Sequence, residues 1–227
     1  MLLICLISLL FIGYTSAQCP KPTNTTCSRP ILDCCESNFR TALGFNSSIC
    51  GGAHLYDNIT CYRGAVENIY FGAGGSGTLL VCDAYNTFLG CLDQSIRSCT
   101  SYGWYMEQGI QYDLYSTIFY QQLMYQCGAG LEFFLNNGPC LNSAYFNNIP
   151  ALEQCRSDFI KRISTNPPPT SPDVCFISDT FVNCWAKPFY LTCGDGGSWW
   201  GCEYARKSTH VLYPVCDTRC MAQLSFS

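Results

Sequence analysis

The chain has few charged residues, only two histidines and none of the close cysteine pairs that bind metal ions. Charged residues make up 12% of its 227 residues, the net charge is −4, and no run of basic residues occurs. Nucleic acids and anionic membrane surfaces are therefore not expected partners. Because no Cys-x-x-Cys occurs and His54 and His210 are the only imidazoles, the sequence predicts no metal site and no cofactor.

Three short motifs resemble parts of enzyme active sites, and each lacks an essential element. Gly194–Ser198 resembles the serine motif of trypsin-like proteases, but its serine follows the glycines instead of preceding them. Cys184-Trp185 resembles a cysteine-protease nucleophile, which must be an unpaired thiol. Cys34-Cys35 resembles the cysteine pair of secreted phospholipase A2, but Glu36-Ser37 replaces the His-Asp dyad. The sequence therefore predicts no catalytic residue and a protein that is not an enzyme.

The first residues are typical of a secretory signal peptide. An uncharged apolar segment, Met1–Gly13, is followed by the small residues Thr15 and Ala17, and residues 1–17 are predicted to be removed. The apolar segment is shorter than the roughly 20 residues that span a bilayer. No second segment of spanning length follows, so we expect a secreted, extracellular chain without an integral membrane segment after signal removal.

The cysteine content and the glycosylation sequons agree with this expectation. One of the 19 cysteines, Cys5, lies in the signal segment, which leaves 18, an even number that can pair completely. Disulfide bonds are typical of secreted proteins. Asn24, Asn46 and Asn58 each begin an Asn-x-Ser/Thr sequon and are predicted N-glycosylation sites at the surface.

The cysteines also indicate an internal duplication. The intervening lengths are 14, 10, 20, 8 and 7 residues in a first row and 12, 14, 19, 8 and 8 in a second. The rows are Cys35, Cys50, Cys61, Cys82, Cys91, Cys99 and Cys127, Cys140, Cys155, Cys175, Cys184, Cys193. We therefore predict a polar lead at 18–34 and two tandem related units at 35–126 and 127–227, with the extra cysteines tying down both ends, either separately or to each other.

Within both units the apolar residues recur with helical spacing. Stripes begin at Ile59, Leu79, Leu114, Leu152 and Val174, and no stretch shows sustained alternation. Ser171-Pro172-Asp173 is a suitable helix start, and Pro188 is expected to bend or end the helix that follows it. The predicted fold class is mainly α, a disulfide-rich helical bundle made of two tandem units.

Helix-hairpin geometry predicts two disulfide bonds. The glycine-rich segment near Gly74 and the proline-rich segment near Pro169 are both loops in composition. If the helices on either side of each loop pack antiparallel, Cys61 lies near Cys91 and Cys155 lies near Cys184. The predicted bonds are therefore Cys61–Cys91 and Cys155–Cys184, although helix tilt would favour Cys82 or Cys175 instead.

The cysteine spacing resembles a known group of secreted proteins. Tyr85-x-x-Phe88-Leu-x-Cys91 and the segment from Cys127 through Phe134-Leu135 to Pro139-Cys140-Leu141 are similar to nematode cysteine-rich proteins. These carry the chondroitin-proteoglycan-4-like domain or the related domain of unknown function 19. The resemblance implies an extracellular, helical, disulfide-linked module without catalysis. Unlike a proteoglycan core, the chain has a single Ser-Gly dipeptide, Ser76-Gly77, without acidic neighbours.

Two functions from different classes remain open at this point. The first is a non-enzymatic extracellular binding or matrix protein whose partner is an extracellular protein or glycan. The second is a carrier that encloses an apolar small molecule among its helices, as odorant-binding proteins do. A closed apolar cavity of several hundred Å3 would favour the carrier, and a packed core with an exposed aromatic patch would favour the binding protein.

Overall fold

Helices form wherever the apolar residues recur every three to four positions. The computed structural model describes residues 19–72, 75–110, 113–165 and 170–220, and these residues contain no strand. Short 3-10 turns lie at Cys50–Gly52, Leu55–Asp57 and Asp93–Ser95. The α-helices are α1 Arg29–Ala42, α2 Ile59–Gly72, α3 Gly75–Leu92, α4 Ile96–Cys99, α5 Tyr102–Glu107, α6 Asp113–Gln126, α7 Leu131–Phe146, α8 Ile149–Ile163 and α9 Ser171–Leu212. The prediction of a mainly α, disulfide-rich fold is confirmed.

The longest helix begins and breaks at residues with clear local causes. Thr170 and Asp173 form a capping box at the start of α9, in which the Thr170 backbone N–H donates to the Asp173 carboxylate at 3.1 Å. Pro188 was expected to bend or end this helix, and it does not end it. The break lies at Gly194, which has a φ of +66°, a value that glycine adopts without a steric penalty. None of the described helices is long and apolar enough to cross a membrane.

The helices pack as two antiparallel hairpins joined by α4–α7. α2 and α3 form the first hairpin, with α1 packed on α3, and α8 and α9 form the second. α9 also packs against α6 and α7, while α7 reaches back to α2 and α3. The long α9 therefore connects the elements of the second half, and α7 connects the two halves.

Aromatic side chains fill the core between these helices. Trp185, Trp200, Tyr204 and Phe71 are all almost completely buried, and Phe71 stacks on Tyr145 with ring centroids 4.1 Å apart. The buried Trp200 indole N–H donates to the Gly130 carbonyl at 3.0 Å, as the polar end of a buried tryptophan usually does. Most of the tyrosines described by the structure thus belong to the core and do not form a tyrosine-rich binding face.

Every cysteine from Cys19 onward is in a disulfide bond. The nine bonds are Cys19–Cys34, Cys27–Cys99, Cys35–Cys91, Cys50–Cys61, Cys82–Cys127, Cys140–Cys193, Cys155–Cys184, Cys175–Cys216 and Cys202–Cys220. The lead is joined to the first half and the tail to α9, so the two ends are fixed separately. The Cys155–Cys184 bond expected from hairpin geometry is present.

The predicted Cys61–Cys91 bond was wrong, because a third helix intervenes. α1 packs on α3 and places the buried Cys35 against Cys91, with 5.7 Å between their Cα atoms. Cys61 lies in the first turn of α2 with an exposed side chain and bonds to Cys50 in the preceding 3-10 turn. The two-helix argument omitted α1, whose start at Arg29 lies inside the segment that the sequence indicated as a polar lead.

The disulfide pattern does not repeat between the two cysteine rows. Cys61 and Cys155 hold equivalent positions in the rows, yet Cys61 bonds within its loop and Cys155 bonds across a helix hairpin. The Cys82–Cys127 bond also joins α3 to the end of α6, across the proposed boundary at residue 126. Two tandem units therefore remain a proposal based on sequence spacing.

Peptide mapping of the unreduced protein tests this connectivity. We expect Cys61 to be recovered with Cys50 and Cys91 to be recovered with Cys35, because three-helix packing brings these pairs together. The Cys155–Cys184 peptide serves as an internal reference for correct oxidation. A peptide that links Cys61 to Cys91 would show that α1 is not packed between them.

Candidate functional site

A buried ion pair joins the first hairpin to the second. Glu67 on α2 and Arg156 on α8 are 2% and 7% exposed, and their side chains form a two-pronged salt bridge. The Tyr145 hydroxyl donates to Glu67 Oε2 at 2.9 Å, and the Tyr204 hydroxyl donates to the other oxygen. Each carboxylate oxygen of Glu67 therefore accepts two hydrogen bonds, one from Arg156 and one from a tyrosine.

Aromatic rings enclose the guanidinium of this pair. The Arg156 Cζ atom lies 4.2 Å from the Trp185 ring centroid, and Trp185 stacks on Tyr204. Such a cation–π contact is worth most where water is excluded. Burial alone would raise the pKa of Glu67, but the Arg156 and Arg63 guanidiniums and the Tyr204 hydroxyl hold it below its ordinary value. The pair is therefore charged in the folded protein.

An open groove lies above this ion pair. It has a volume of about 440 Å3 and is lined by Thr60, Arg63, Tyr115, Glu153, Arg156, Ser157, Ile160 and Lys161. We call it the α8 groove, since α8 forms one wall and α2 and α6 form the other. A narrow cleft of about 40 Å3 continues from it towards α9, lined among others by Leu114, Ile118, Gln122, Ile163, Ser208 and Leu212. The groove has a polar mouth and a largely apolar inner end.

Two polar atoms in the narrow cleft are buried without a hydrogen-bond partner among the described residues. They are Arg63 Nε and Gln122 Oε1. The Gln122 amide is held by its other end, because Nε2 donates to the Ser208 hydroxyl at 2.8 Å. Buried polar atoms are nearly always hydrogen-bonded in folded proteins. Among the described residues these two atoms are therefore exceptions to that rule, as are eight other buried atoms, including Trp185 Nε1 and the Tyr105 hydroxyl.

A second groove lies on the other side of α8. It has a volume of about 370 Å3 and is lined by residues around the Cys155–Cys184 bond, including Asp158, Lys161, Arg162 and Thr180. Arg162 covers the exposed Phe176 ring, with its Cζ atom 5.5 Å from the ring centroid. The buried polar atoms without a partner do not line this groove, and it is the less specific of the two surfaces.

A second buried carboxylate lies in the first half of the chain. Glu36 on α1 is fully buried. It accepts hydrogen bonds from the Tyr120 hydroxyl at 2.7 Å and the Leu55 N–H at 3.2 Å. Burial raises the pKa of Glu36 and outweighs the lowering by these two hydrogen bonds. The resulting pKa is about 8. Nearby, Asp33 accepts from Tyr56 at 2.6 Å and lies 3.4 Å from the His54 ring nitrogen.

The residues singled out from the sequence do not assemble into a catalytic site. Ser198 is buried inside α9, while Cys184 and Cys34 are in disulfide bonds. Three sulfur atoms, those of Cys19, Cys35 and Cys91, lie within 4.8 Å of one another. All three belong to disulfide bonds, and a disulfide sulfur is not the thiolate that ligates metals.

The predicted glycosylation sites all lie in the first half of the chain. Asn24 and Asn46 are exposed, and each side-chain oxygen accepts a hydrogen bond at 2.9 Å from the backbone N–H two residues later. Asn58 is half-buried and donates its side-chain amide to the Cys50 carbonyl at 3.3 Å. The structure thus places two of the three acceptors fully at the surface.

The sequence patterns did not identify the residues of the α8 groove or the buried ion pair. A usable signal existed, because Glu67 and Arg156 both fall on predicted apolar stripes. Glu67 is eight residues after Ile59, and Arg156 is four after Leu152. A charge at such a position faces the core and needs a partner. Arg63 and Gln122 carried no comparable signal.

Comparison with known proteins does not assign this chain to a family. The chain matches no protein-family model, and no curated protein or solved structure is significantly similar to it. Its class is therefore defined by its own architecture. It is a mainly α-helical protein held together by disulfide bonds.

Replacing Arg156 should strongly destabilise the fold. In Arg156→Met the Glu67 carboxylate loses its countercharge while buried, and we expect a loss of about 3–5 kcal/mol in the free energy of unfolding. Denaturant unfolding of the oxidised protein measures this loss. The matched control is Glu153→Gln, which removes a partner of Arg156 that is 52% exposed and should cost less than about 1 kcal/mol. Equal effects of the two variants would contradict a buried, charged pair.

Glu36 should make stability depend on pH. Its pKa is raised on folding, so its contribution is fully present below about pH 4.5 and is lost as the pH rises to about 8. Glu36→Gln mimics the neutral acid and should remove this dependence, so that the variant unfolds at a higher Tm than the wild type at pH 8. Thermal unfolding between pH 4 and 9 checks this, with the exposed Glu107→Gln as control. A wild-type Tm that rises across this window and is unchanged by Glu36→Gln would refute the assignment.

Proposed function

We propose that this chain is a secreted, non-enzymatic protein that binds another extracellular protein through the face formed by α3 and α7. The observation behind the proposal is a contiguous apolar surface at the start of α3. Leu79, Leu135 and Phe146 are 52%, 41% and 40% exposed. A Cβ atom added at Gly75 would lie 3.6 Å from Leu135, and one added at Gly72 would lie 3.6 Å from Phe146. Leu79 lies one helical turn after Gly75 on the same side of α3.

The segments that carry the exposed apolar side chains of the α3–α7 face contain no charged residue, although Asp83 and Glu132 lie at its edges. Residues 68–82 and 133–152 include no Asp, Glu, Lys or Arg, and α7 packs on α2 and α3 in the structure. The exposed apolar side chains thus have polar but uncharged neighbours such as Asn136 and Asn147. Exposed apolar patches with polar rims are typical of protein interaction sites.

The absence of charge favours a protein over a glycan as the partner. Sulfated or carboxylated glycans require cationic side chains, and this face offers none. A protein surface with a complementary apolar patch gains from burying Leu135 and Phe146 together. The expected binding is therefore only weakly sensitive to salt, because there are no exposed charge pairs to screen.

The remaining features support an extracellular setting. The nine disulfide bonds join helices throughout the described chain, and bonds of this kind persist where the environment is oxidising. The exposed Asn24 and Asn46 lie on segments outside the α3–α7 face, so glycans attached there would leave it open. The resemblance to secreted nematode cysteine-rich proteins agrees with a module that has no catalytic residue.

The small-molecule carrier is a second candidate, supported by the α8 groove. The core is packed with aromatic rings, and the groove is open instead of enclosed, which differs from the sealed cavity expected of an odorant carrier. The feature that supports a ligand is the pair of cationic side chains, Arg63 and Lys161, that line the groove.

Surface variants test the proposed binding face. The folded wild-type chain, immobilised and exposed to extracellular fluid, should retain a protein partner. The double variant Leu135→Ser/Phe146→Ser should retain at least about tenfold less of that partner. The matched control is Phe176→Ser, since Phe176 is 66% exposed on α9 away from this face. Retention should persist at 0.5 M salt.

Several outcomes would oppose the proposal. Equal retention by all the variants would remove the α3–α7 face as the binding surface. Binding to immobilised heparin that disappears in salt would indicate a charged glycan partner instead. If the retained protein is a second copy of this chain, the face is a self-association surface and not a site for a different protein.

A further inference from the structure

The disulfide bond between Cys50 and Cys61 is open to solvent. Cys61 is exposed and Cys50 is half-buried. Of the nine bonds between described cysteines, this is the one that joins an exposed cysteine to a partner that is not buried. The others either contain a buried cysteine or join two half-buried ones. Because a thiolate that cleaves a disulfide must reach one of its sulfur atoms, this bond is the easiest of the nine to attack.

The backbone of Cys50 is strained. Its φ is +54°, and among the described residues only one other that is not glycine, Asp93, has a positive φ. In this left-handed region the Cβ atom lies too close to the following carbonyl oxygen, which costs free energy. Gly51 and Gly52 have similar φ values of +75° and +70° without that cost. Strain of this kind persists only where surrounding contacts impose it, and it is concentrated at functional sites.

Three constraints hold Cys50 in this conformation. The disulfide bond fixes its side chain to Cys61, which is only 11 residues further along the chain. The Asn58 side-chain amide donates to the Cys50 carbonyl at 3.3 Å. The Gly52 N–H donates to the Ile49 carbonyl at 3.1 Å and closes the 3-10 turn. The disulfide is the covalent one of these constraints, so its cleavage allows Cys50 to leave the left-handed region.

The rest of this segment is held by contacts that do not involve the disulfide. Arg40 Nη1 donates to the Ala53 carbonyl at 2.7 Å and to the Gly52 carbonyl at 3.1 Å. The hydroxyl of the buried Tyr62 donates to the Ala53 carbonyl at 2.8 Å. The bond also spans the shortest stretch of chain among the nine, so it restricts the unfolded chain least. Its cleavage therefore changes the structure locally and leaves the helices packed.

We propose that Cys61 is a modification site at which a low-molecular-weight thiol forms a mixed disulfide. The thiolate sulfur attacks Cys61 Sγ, because Cys61 is the more exposed of the two cysteines. The new S–S bond forms as the Cys50–Cys61 bond breaks, and the electron pair of the broken bond leaves with Cys50 Sγ, which takes a proton from water. The number of disulfide bonds is unchanged, so the thiol is the only co-reactant. This site is separate from the α3–α7 face and does not depend on the function proposed for that face.

Reduced glutathione is a suitable probe for this reaction. The full mature, oxidised chain is incubated with it at about pH 8, where part of the thiol is ionised, and free thiols are trapped with N-ethylmaleimide before peptide mapping. At early times we expect glutathione on Cys61 and maleimide on Cys50. The Cys155–Cys184 bond is the matched control, because Cys184 is also exposed but neither of its cysteines has a positive φ. It should react at least about tenfold more slowly.

Removing the bond tests whether its cleavage is local. The double variant Cys50→Ser/Cys61→Ser should keep its helical circular dichroism and should take up no glutathione at early times. Its Tm should fall less than that of Cys155→Ser/Cys184→Ser, because the second bond closes a longer stretch of chain, 29 residues against 11. The labelling of the wild-type chain needs no variant, so it decides the proposal even if a double variant fails to fold.

Four results would overturn the proposal. The first is labelling of Cys155 and Cys184 as early as Cys50 and Cys61, because exposure alone would then explain the reactivity. The second is glutathione attached to Cys50 with Cys61 as the free thiol, which would reverse the direction of attack. The third is labelling that appears only together with loss of the helical signal, since the bond would then open only on unfolding. The fourth is early uptake of glutathione by the folded Cys50→Ser/Cys61→Ser variant, which would place the reaction at another bond.

Discussion

The packing of this protein depends on one buried ion pair, Glu67 with Arg156. The pair joins α2 of the first hairpin to α8 of the second, and Tyr204 ties it to α9. A buried charge is tolerated only when it is paired and hydrogen-bonded. The positions of these three helices are therefore linked, because moving one of them would leave a charge unpaired in the core. The aromatic rings around Arg156 exclude the water that would otherwise weaken the pair.

The disulfide bonds fix the helices that surround the buried ion pair, and they add to its effect instead of replacing it. Cys155–Cys184 fixes α8 against α9 beside the pair, Cys140–Cys193 fixes α7 against α9, and Cys82–Cys127 ties α3 to the end of α6. Each bond stabilises the fold mainly by restricting the conformations of the unfolded chain, and it adds few contacts to the folded protein. The same framework leaves two kinds of surface available, the uncharged α3–α7 face and the cationic α8 groove.

The two predicted disulfide bonds show what local patterns can establish. Cys155–Cys184 joins two helices that are consecutive in the chain and connected by a short loop, so helix geometry was sufficient to place it. Cys61–Cys91 rested on the same argument and was wrong, because α1 packs on α3 and presents Cys35 to Cys91. Of the two outcomes expected at Pro188, a bend or an end, the end does not occur, since the helix continues through Pro188 and breaks at Gly194. Hydrophobic spacing gave the positions of α2, α3, α6, α8 and α9, and Ser171-Pro172-Asp173 correctly marked the start of α9.

The sequence by itself determined the helical class and the expectation that the cysteines pair with one another. Helical periodicity arises from neighbours three and four residues apart, and complete pairing was indicated by an even cysteine count with no metal-binding spacing. The tertiary structure alone decided which cysteines pair, where the charges are buried and which polar atoms are left without partners. Those properties depend on contacts between residues such as Glu67 and Arg156, or Arg63 and Gln122, that are far apart in the chain. Local periodicity carries no information about which helices meet, and only the packing of all the helices together brings those side chains to one place.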